Sequence, residues 1–428
     1  MIGKANKKPI CFLQYDLRGG GAERKVCTLA NYFASQGHFV EVGLFGKNNV
    51  AYELDKRVKV TYICRDTYQY RNDMEKLRYR LAVIMQECFV LFPAVVINGV
   101  CNILKIKPLK RMTPEAIQAH YQKRNNHTLP IRSYILHRPD SVFITMMVSS
   151  YLAVMRVIEK YRIKDVVRNK YIVMDCNDPT KNATPETDIL RNKYYPMADY
   201  CAVMTQGAKE YFSREIQEKC VIIPNPVRDD LPLPYHGERR HVIVNCCRLH
   251  PQKNLPLLID AFSLLVRDYP DYRLEIYGEG QLEMELNAYI ATLGIQERAH
   301  ICRFDPNIHD KIKDCMMFVS SSDWEGFSNS VMEALAIGMP TIATDCNFGP
   351  REMIEDQING LLTPPGDVHA LYEAMKAIAG NPSLAQELSR NAVLTREKYA
   401  AQKIGDMWLE IINENGMVTI EQNGKAYA

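Results

Sequence analysis

Strand and helix patterns alternate along most of the chain, and this alternation begins twice. The first beginning is an apolar strand at Ile10–Tyr15, a glycine run that ends at Gly21, a helical pattern at Ala22–Ser35 and a second strand at Phe39–Leu44. A strand, a short loop, a helix and another strand form the unit from which parallel sheets are built. The sequence therefore predicts an α/β fold.

The second beginning follows a stretch in which Pro232, Pro234 and Gly237 stand among charged residues, as in a linker between domains. A chain of 428 residues is long enough for two domains of about 200 residues each. The expected organisation is a first domain over 1–230, a linker over 231–240, a second α/β domain over 241–395, and a C-terminal helix and tail over 396–428.

Most strands of both domains are predicted from short apolar runs between polar segments. In the first domain the remaining predicted strands are Val58–Tyr62, Ser141–Thr145, Tyr171–Asp175, Tyr200–Met204 and Val221–Ile223. In the second domain the predicted strands are His241–Cys247, Tyr272–Tyr277, Met316–Ser320 and Thr341–Thr344. Helices are predicted at Leu255–Arg267, Leu282–Leu293 and Asn329–Ile337, and from Val368 to about Asn415 with a break at Pro382.

Composition argues against several kinds of partner and location. Lys plus Arg number 53 against 50 for Asp plus Glu, so no overall field draws the chain to nucleic acid, and no nucleic-acid partner is expected. The 13 cysteines are scattered without the spacing of a metal knuckle, and we expect reduced, mostly buried thiols. The basic N-terminus lacks the apolar core and cleavage site of a signal peptide, so a cytoplasmic location is expected.

One segment, at about 66–130, does not fit a compact α/β domain and is predicted to be a helical insertion. It contains 17 uncharged residues from Cys88 to Leu104, whereas a membrane-spanning helix needs about 20 apolar residues. Four cations follow immediately, at Lys105, Lys107, Lys110 and Arg111. An apolar block beside a basic block indicates peripheral contact through Cys88–Arg111 with an anionic membrane surface. A buried helix pair with a solvated basic turn is the alternative, and the sequence leaves both open.

Two carboxylates border the predicted start of a helix in the second domain. Glu325 lies in the preceding loop, Ser328 or Asn329 can cap the helix, and Glu333 falls in its early turns. The free amides and the positive dipole end of such a helix suit a diphosphate. Carboxylates are poor phosphate ligands, but they accept hydrogen bonds from sugar hydroxyls. The pattern therefore predicts a site for a ligand that contains both a diphosphate and a sugar.

A cationic pair is predicted near the same site. Arg248 and Lys253 follow the strand at His241–Cys247, in a loop at the carboxyl end of a parallel strand, where open α/β sheets bind their ligands. A guanidinium and an ammonium there can neutralise a leaving diphosphate without a metal ion. The second domain has no Asp-any-Asp pair at a strand end to hold a cation, so no metal is expected.

In this order the motifs resemble glycosyltransferase family 4, whose members are retaining enzymes of the GT-B fold. In that fold two Rossmann-like domains face each other across a cleft. The resemblance extends over nearly the whole chain. It rests on Gly20-Gly21-Ala22-Glu23-Arg24, Pro224-Asn225-Pro226, Arg248 with Lys253-Asn254, Glu325 with Glu333, Gly338-Met339-Pro340, Gly349-Pro350-Arg351-Glu352 and Asn359-Gly360-Leu361-Leu362.

The resemblance implies a role for each motif residue. Arg248 and Lys253 would hold the donor diphosphate, and Glu325 would contact the sugar, which makes these three the expected catalytic residues. Glu333 would bind the nucleotide ribose. The rest of the donor site would be Gly20 and Gly21 from the first domain with Phe327, Ser328 and Asn329 from the second.

The resemblance also implies the reactants. A nucleotide-sugar would be a substrate, with a UDP-sugar as the expected donor, and no cofactor would be needed. The acceptor would be a lipid-linked or polymeric glycan in surface polysaccharide or glycoconjugate synthesis. With the basic segment described above, this places the enzyme at the inner face of the plasma membrane.

The chain departs from the common family pattern after its strand at Tyr171–Asp175. Many members have a histidine there near the reacting sugar, whereas this chain continues Cys176-Asn177-Asp178-Pro179. That stretch resembles a subgroup with Arg-Asn-Asp-Pro, several members of which build surface polysaccharides. Asn177 and Asp178 are therefore the candidates for contact with the sugar or acceptor.

Three other functions were weighed against this hypothesis. A nucleotide-sugar epimerase shares the architecture but needs proton-transfer groups at other places than the paired glutamates, Arg248 and Lys253. A nicotinamide dehydrogenase needs a third glycine in its loop, which Gly20-Gly21-Ala22-Glu23-Arg24 lacks. A non-catalytic membrane scaffold would keep the fold without needing all four charged donor-site residues, which are present here.

Overall fold

The computed structural model describes residues 7–17, 20–46, 50–63, 128–181, 185–305 and 307–413. Within them the chain forms two separate sheets, one of seven strands and one of six. Every strand pairing in both sheets is parallel. The predicted α/β, doubly wound GT-B architecture is confirmed in outline.

The first sheet has the strand order β3-β2-β1-β4-β5-β6-β7. Its strands are β1 Ile10–Gln14, β2 Val40–Leu44, β3 Lys59–Tyr62, β4 Val142–Thr145, β5 Lys170–Asp175, β6 Tyr200–Val203 and β7 Cys220–Ile222. Each of the seven coincides with a predicted strand to within one residue at either end. The described helices of this half are α1 Gly21–Ser35, α2 Thr128–Leu136, α3 Val148–Tyr161, α4 Pro185–Tyr194, α5 Gln206–Tyr211 and α6 Arg214–Gln217.

Hydrophobic residues cover both faces of the first sheet. Along β1, Ile10 and Phe12 pack into one cluster with Phe33 of α1, while Cys11 and Leu13 pack into another on the opposite face. Successive side chains of a strand point to opposite faces, so a strand buried on both sides reads as a continuous apolar run. This is why the strands could be recognised from sequence.

The second sheet has the order β10-β9-β8-β11-β12-β13. Its strands are β8 Arg240–Cys246, β9 Arg273–Tyr277, β10 Ala299–Cys302, β11 Cys315–Ser320, β12 Thr341–Thr344 and β13 Leu361–Thr363. The described helices of this half are α7 Leu255–Asp268, α8 Glu283–Thr292, α9 Ile308–Ile312, α10 Asn329–Ala336, α11 Pro350–Met353, α12 Val368–Gly380, α13 Pro382–Ala392, α14 Leu394–Lys398 and α15 Ala401–Asn413.

Two strands of the second sheet, β10 and β13, were not predicted. They are the two edge strands, with four and three residues respectively. In β10 only Ala299 is buried, and β13 consists of two leucines and a threonine, so neither forms a distinct apolar run. The predicted strands therefore include the inner strands of this sheet and not its edges.

The last described helix, α15, packs against the first half of the protein although it follows the second sheet in sequence. Its Asp406 accepts a hydrogen bond from the hydroxyl of Tyr32 on α1. Trp408 is fully buried, and the carbonyl of Ile411 accepts a bond of 2.7 Å from the Lys170 ammonium of β5. The chain therefore passes between the two halves twice.

Some predictions fall outside what the structure describes. The segment Cys88–Arg111 and most of the insertion at about 66–130 lie in residues 64–127, so their membrane contact stays a prediction. The domain limits given above also stay predictions. Among the described residues, no helix is long and apolar enough to cross a membrane.

Candidate functional site

The predicted catalytic residues lie at the carboxyl edge of the second sheet. Strands β8 and β11 are hydrogen-bonded neighbours, and the loop after each carries part of the site. The β8 loop contains Arg248 and a short 3-10 turn at Pro251–Lys253. The β11 loop contains Glu325 and leads into α10. Because parallel neighbours end at the same edge, residues more than 70 positions apart meet there.

Lys253 and Glu325 form a close ion pair at this edge. The Lys253 ammonium donates to Oε1 of Glu325 at 2.5 Å, and the Ser322 hydroxyl donates to the same oxygen at 2.8 Å. Both side chains are largely covered, with 13% of Lys253 and 7% of Glu325 exposed. Removing either partner would leave an uncompensated charge in a poorly solvated place. The two residues therefore act as a unit.

The loops that carry this pair are fixed to each other. The Asn254 amide donates to the Asp323 carboxylate at 2.7 Å, and the Ser321 hydroxyl donates to the Lys253 carbonyl at 2.9 Å. The Asp323 amide donates to the Gln252 carbonyl, also at 2.9 Å. Bonds between the two loops on both sides of Lys253 hold its geometry before any ligand arrives.

The start of α10 lies directly after the Glu325 loop. Ser328 occupies the N-cap position and Asn329 the first helical position, but the Ser328 side chain makes no capping hydrogen bond in the described part of the chain. Helix-start amides without a side-chain cap keep their capacity to bind an anion. Phe327, Ser328 and Asn329, where the phosphate seat is predicted, therefore lie at the start of α10 directly after the loop that carries Glu325.

Glu333 is a buried carboxylate contacted from both halves of the protein. Arg24 of α1 donates to its Oε1, and Nε2 of His309 lies 3.1 Å from its Oε2. Burial alone would raise the pKa of Glu333, but Arg24 and His309 bring that pKa below its ordinary value. Glu333 is consequently ionised at neutral pH, as an acceptor of hydroxyl hydrogen bonds should be.

The glycine loop of the first half meets the start of α10. A β-carbon at Gly21 would lie 3.0 Å from the Asn329 side-chain amide, so a larger residue there would require that amide to shift. The Asn225 amide donates to Oδ1 of Asn329 at 2.7 Å. The backbone amide of Gly20 donates to the Tyr52 hydroxyl at 3.0 Å, which fixes the loop. The structure thus brings Gly20 and Gly21 to the predicted phosphate seat.

The loop after β5 rests on the residue that follows Glu325. A β-carbon at Gly326 would lie 2.9 Å from the α-carbon of Asn177, so this approach requires glycine. Asn177 is half-buried, whereas Asp178 is buried and accepts bonds from the Thr180 amide at 2.8 Å and hydroxyl at 2.6 Å. Both candidates are therefore near Glu325, and Asn177 has the more accessible side chain.

Arg248 is exposed. Burial raises the pKa of Glu23 on α1, and the charge of Arg248 acts on that carboxyl in the opposite direction. Because it is exposed, the Arg248 side chain can change direction when a ligand binds. The structure thus gives the two predicted phosphate cations different settings: Lys253 is held in an ion pair and Arg248 is solvated.

A buried ion pair that the sequence analysis missed supports the loop of Asn177. The Arg191 guanidinium donates to Asp175 at 2.9 Å and to the Pro179 carbonyl at 3.0 Å, with both charged side chains almost fully buried. Burial raises the pKa of Asp175, and Arg191 opposes that effect. Arg191 therefore connects the end of β5 to the far end of the loop.

Two further residues at the site were also missed, Arg24 and His309. Arg24 stands in the glycine motif, and its charge in the first turn of a largely buried helix was a signal that could have been used. His309 has no comparable sequence signal, since it is a single histidine in a short polar segment. Among the described residues, no three of His, Cys, Asp or Glu are grouped so as to hold a metal ion.

Comparison with known proteins finds glycosyltransferases among the proteins similar to this chain. The family profile "Glycosyl transferases group 1" matches residues 235–394. An uncharacterised glycosyltransferase of Methanocaldococcus jannaschii is 28% identical over an alignment of 307 positions that covers 67% of this chain and 74% of that protein. The Campylobacter jejuni GalNAc-alpha-(1→4)-GalNAc-alpha-(1→3)-diNAcBac-PP-undecaprenol alpha-1,4-N-acetyl-D-galactosaminyltransferase is 22% identical over 95% of this chain and 98% of its own.

A solved structure resembles the fold over almost the whole chain. It is a Staphylococcus aureus TarM mutant in complex with fondaparinux, alpha-GlcNAc-glycerol and UDP. The TM-score is 0.68 at 15% sequence identity, and the match covers 95% of this chain and 100% of that one. The chain therefore has the GT-B fold and carries a glycosyl transferases group 1 domain, with glycosyltransferases among its relatives.

Proposed function

We propose that the protein is a retaining glycosyltransferase that moves a sugar from a nucleoside-diphosphate donor to a lipid-linked or polymeric glycan. The observation that carries this proposal is the Lys253–Glu325 pair beside the uncapped start of α10. A cation, helix amides and a carboxylate next to one another match a diphosphate joined to a sugar. The expected donor is a UDP-sugar, and the UDP present in the TarM structure supports that choice.

In this proposal the positive groups stabilise the leaving diphosphate. Negative charge grows on the departing phosphate oxygen as its bond to the sugar breaks, and Lys253 and Arg248 lie on the loop beside the phosphate seat. Preorganised charges that face developing charge usually make the largest contribution to catalysis. Gly20 and Gly21 complete the enclosure from the first half. The nucleotide-sugar is a substrate, and no cofactor takes part.

Retention follows from transfer on one face of the sugar. The bond between the anomeric carbon and the phosphate oxygen breaks, and the acceptor oxygen bonds to the anomeric carbon on the same face. The acceptor proton passes to the departing phosphate oxygen, so the step needs no protein nucleophile. Glu325 accepts hydrogen bonds from the sugar hydroxyls, and Asn177 stands beside it from the first half.

Thermal unfolding with different nucleotides tests the donor. A ligand that binds only the folded state stabilises it by about 2.7 kcal/mol at a concentration 100 times its Kd. We expect UDP and UDP-sugars to raise the unfolding temperature more than GDP, ADP and their sugars. Uridine monophosphate is the matched control, because it lacks the second phosphate, and it should have a smaller effect. Equal shifts with UDP and uridine monophosphate would contradict a diphosphate site, and an inverted anomeric product would contradict retention.

Metal independence is a separate prediction. Arg248, Lys253 and the α10 amides supply the positive charge that a divalent ion provides in other transferases. Turnover of the nucleotide-sugar should therefore be unchanged after dialysis against EDTA. Activity that disappears with EDTA and returns with magnesium or manganese would show this prediction to be wrong.

We propose that the enzyme works at the cytoplasmic face of the plasma membrane, with Cys88–Arg111 as the docking segment. The diphospho-undecaprenol acceptor in the name of the Campylobacter relative supports a lipid-linked substrate. An apolar run can enter the headgroup region, while each nearby Lys or Arg adds about 1 kcal/mol at an anionic surface.

Co-sedimentation with vesicles tests this membrane contact. The protein should pellet with phosphatidylserine-containing vesicles at low salt and much less with neutral phosphatidylcholine vesicles. The variant with serine at Lys105, Lys107, Lys110 and Arg111 should lose most of that binding. Binding that is indifferent to the four replacements, or absent in the wild type, would favour the buried-helix alternative.

A further inference from the structure

The carboxylate of Glu333 is covered on both of its oxygens. His309, on α9 of the same half, approaches Oε2, and Arg24, on α1 of the opposite half, donates to Oε1. Only 6% of the Glu333 side chain is exposed as a result. Because each oxygen of Glu333 already has a close partner, this carboxylate can bind two hydroxyl groups of a ligand only when one of those partners moves away.

Arg24 is the cover that can move. Its side chain is 26% exposed, whereas that of His309 is 10% exposed. His309 belongs to the same half as Glu333, so it moves together with that residue. Arg24 comes from the helix that begins at the glycine loop and reaches Glu333 only across the junction between the halves. This partly exposed, bridging arginine is therefore the outer cover of the carboxylate.

The surroundings of Arg24 show that its bridge belongs to a larger junction. Asn225 bonds to Asn329 at 2.7 Å, and Gly21 lies against the same asparagine. Arg228 is a second arginine whose charge acts on Glu333, but its guanidinium is directed to Asp230, with a bond of 2.5 Å from Nε. Arg24 is thus the arginine of this junction that holds Glu333 directly.

We propose that Arg24 is a gate over Glu333, and that the ribose hydroxyls of the nucleoside-diphosphate donor replace its guanidinium when the donor binds. This inference rests on the proposed function, in which Glu333 binds the ribose. Two hydroxyl groups can donate to a carboxylate from which the guanidinium has departed. The ligand then competes with an ion pair, and the apparent affinity falls in proportion to the fraction of molecules whose gate is open.

Removing an ordinary binding residue weakens binding of the ligand, whereas removing the Arg24 gate should strengthen it. Arg24→Gln removes the competing bridge, so UDP should bind about three- to tenfold more tightly than to the wild type, as measured by isothermal titration calorimetry. Arg24→Lys keeps the positive charge but lacks the planar, bidentate guanidinium, so its affinity for UDP should be intermediate. It also serves as the second variant if Arg24→Gln fails to fold. Arg228→Gln is the matched control, since it removes an equal charge near Glu333, and its UDP affinity should stay within about twofold of the wild type.

Comparison with a nucleotide that lacks the ribose hydroxyls tests whether Glu333 binds the ribose. The wild type and Arg24→Gln should both prefer UDP over 2′,3′-dideoxy-UDP, and Glu333→Gln should lose most of that preference. Unchanged or weaker UDP binding by Arg24→Gln, or equal tightening by Arg228→Gln, would overturn the gate and leave the proposed function standing. A wild type that binds no nucleoside diphosphate would overturn the proposed function and the gate together.

Discussion

Replacing Lys253 by alanine is expected to slow turnover of the nucleotide-sugar roughly 30- to 900-fold. This corresponds to a loss of about 2–4 kcal/mol of transition-state stabilisation. In the proposed mechanism the ammonium faces the phosphate oxygen on which charge develops, and the same change leaves the buried carboxylate of Glu325 without its cation. We therefore expect the loss mainly in kcat, with a smaller change in KM. Steady-state kinetics with purified enzyme and saturating donor measure both quantities.

Two controls separate chemistry from folding. Lys376→Ala removes a lysine that pairs with Asp268, with 41% of each side chain exposed, and should leave turnover unchanged. The circular dichroism spectrum of Lys253→Ala should match that of the wild type. A Lys253→Ala enzyme that turns over at the wild-type rate would remove Lys253 from the catalytic residues.

Replacing Arg191 by methionine is expected to lower the free energy of unfolding by about 3–5 kcal/mol, because it leaves the buried carboxylate of Asp175 without its partner. Both side chains are nearly inaccessible, at 1% and 3% exposure. The change also removes the donor to the Pro179 carbonyl, so the loop that carries Asn177 loses one of its anchors. Urea denaturation followed by fluorescence measures the stability.

A surface pair provides the comparison for Arg191. Arg240 bonds to Asp314 at 2.7 Å, but 47% and 32% of these side chains are exposed, so Arg240→Met should cost less than about 1 kcal/mol. The double variant Arg191→Met with Asp175→Asn should recover part of the loss, because position 175 then carries no buried charge, while Asp188, which also loses Arg191, is 35% exposed and stays solvated. Equal stability of the Arg191→Met variant and the wild type would show that the buried pair contributes little.

Much of this fold could be predicted because its strands are buried on both faces. Strands such as β1 and β4 are fully buried, largely apolar runs, and β12 at Thr341–Thr344 was predicted to the residue. The edge strands β10 and β13 lacked that signal. Residues 64–127 are not described, so the choice between membrane contact and a buried core there still depends on the vesicle experiment.

The site was predictable where it depends on residues close to strand ends. Arg248, Lys253 and Glu325 follow recognisable strands, and parallel neighbours bring such loops together. The contact between Arg24 and Glu333 joins residues 309 positions apart in different halves, and no local pattern predicts it. The pairing of Asp175 with Arg191 was missed for a similar reason, because the local sequence does not distinguish a buried charged residue from an exposed one.

The packing of α15 on α1 has a consequence for how the protein is made. Trp408 and Ile412 are fully buried in the same cluster as Phe12 and Phe33, so the apolar surface of the first half stays incomplete until the last helix joins it. A ribosome adds about 5–20 residues per second, and domains usually fold in the order in which they emerge. The first half can therefore complete its core only after residues 401–413 have been synthesised. These residues leave the exit tunnel after the whole second sheet. Nascent chains stalled before that point should therefore expose the α1 surface to chaperones.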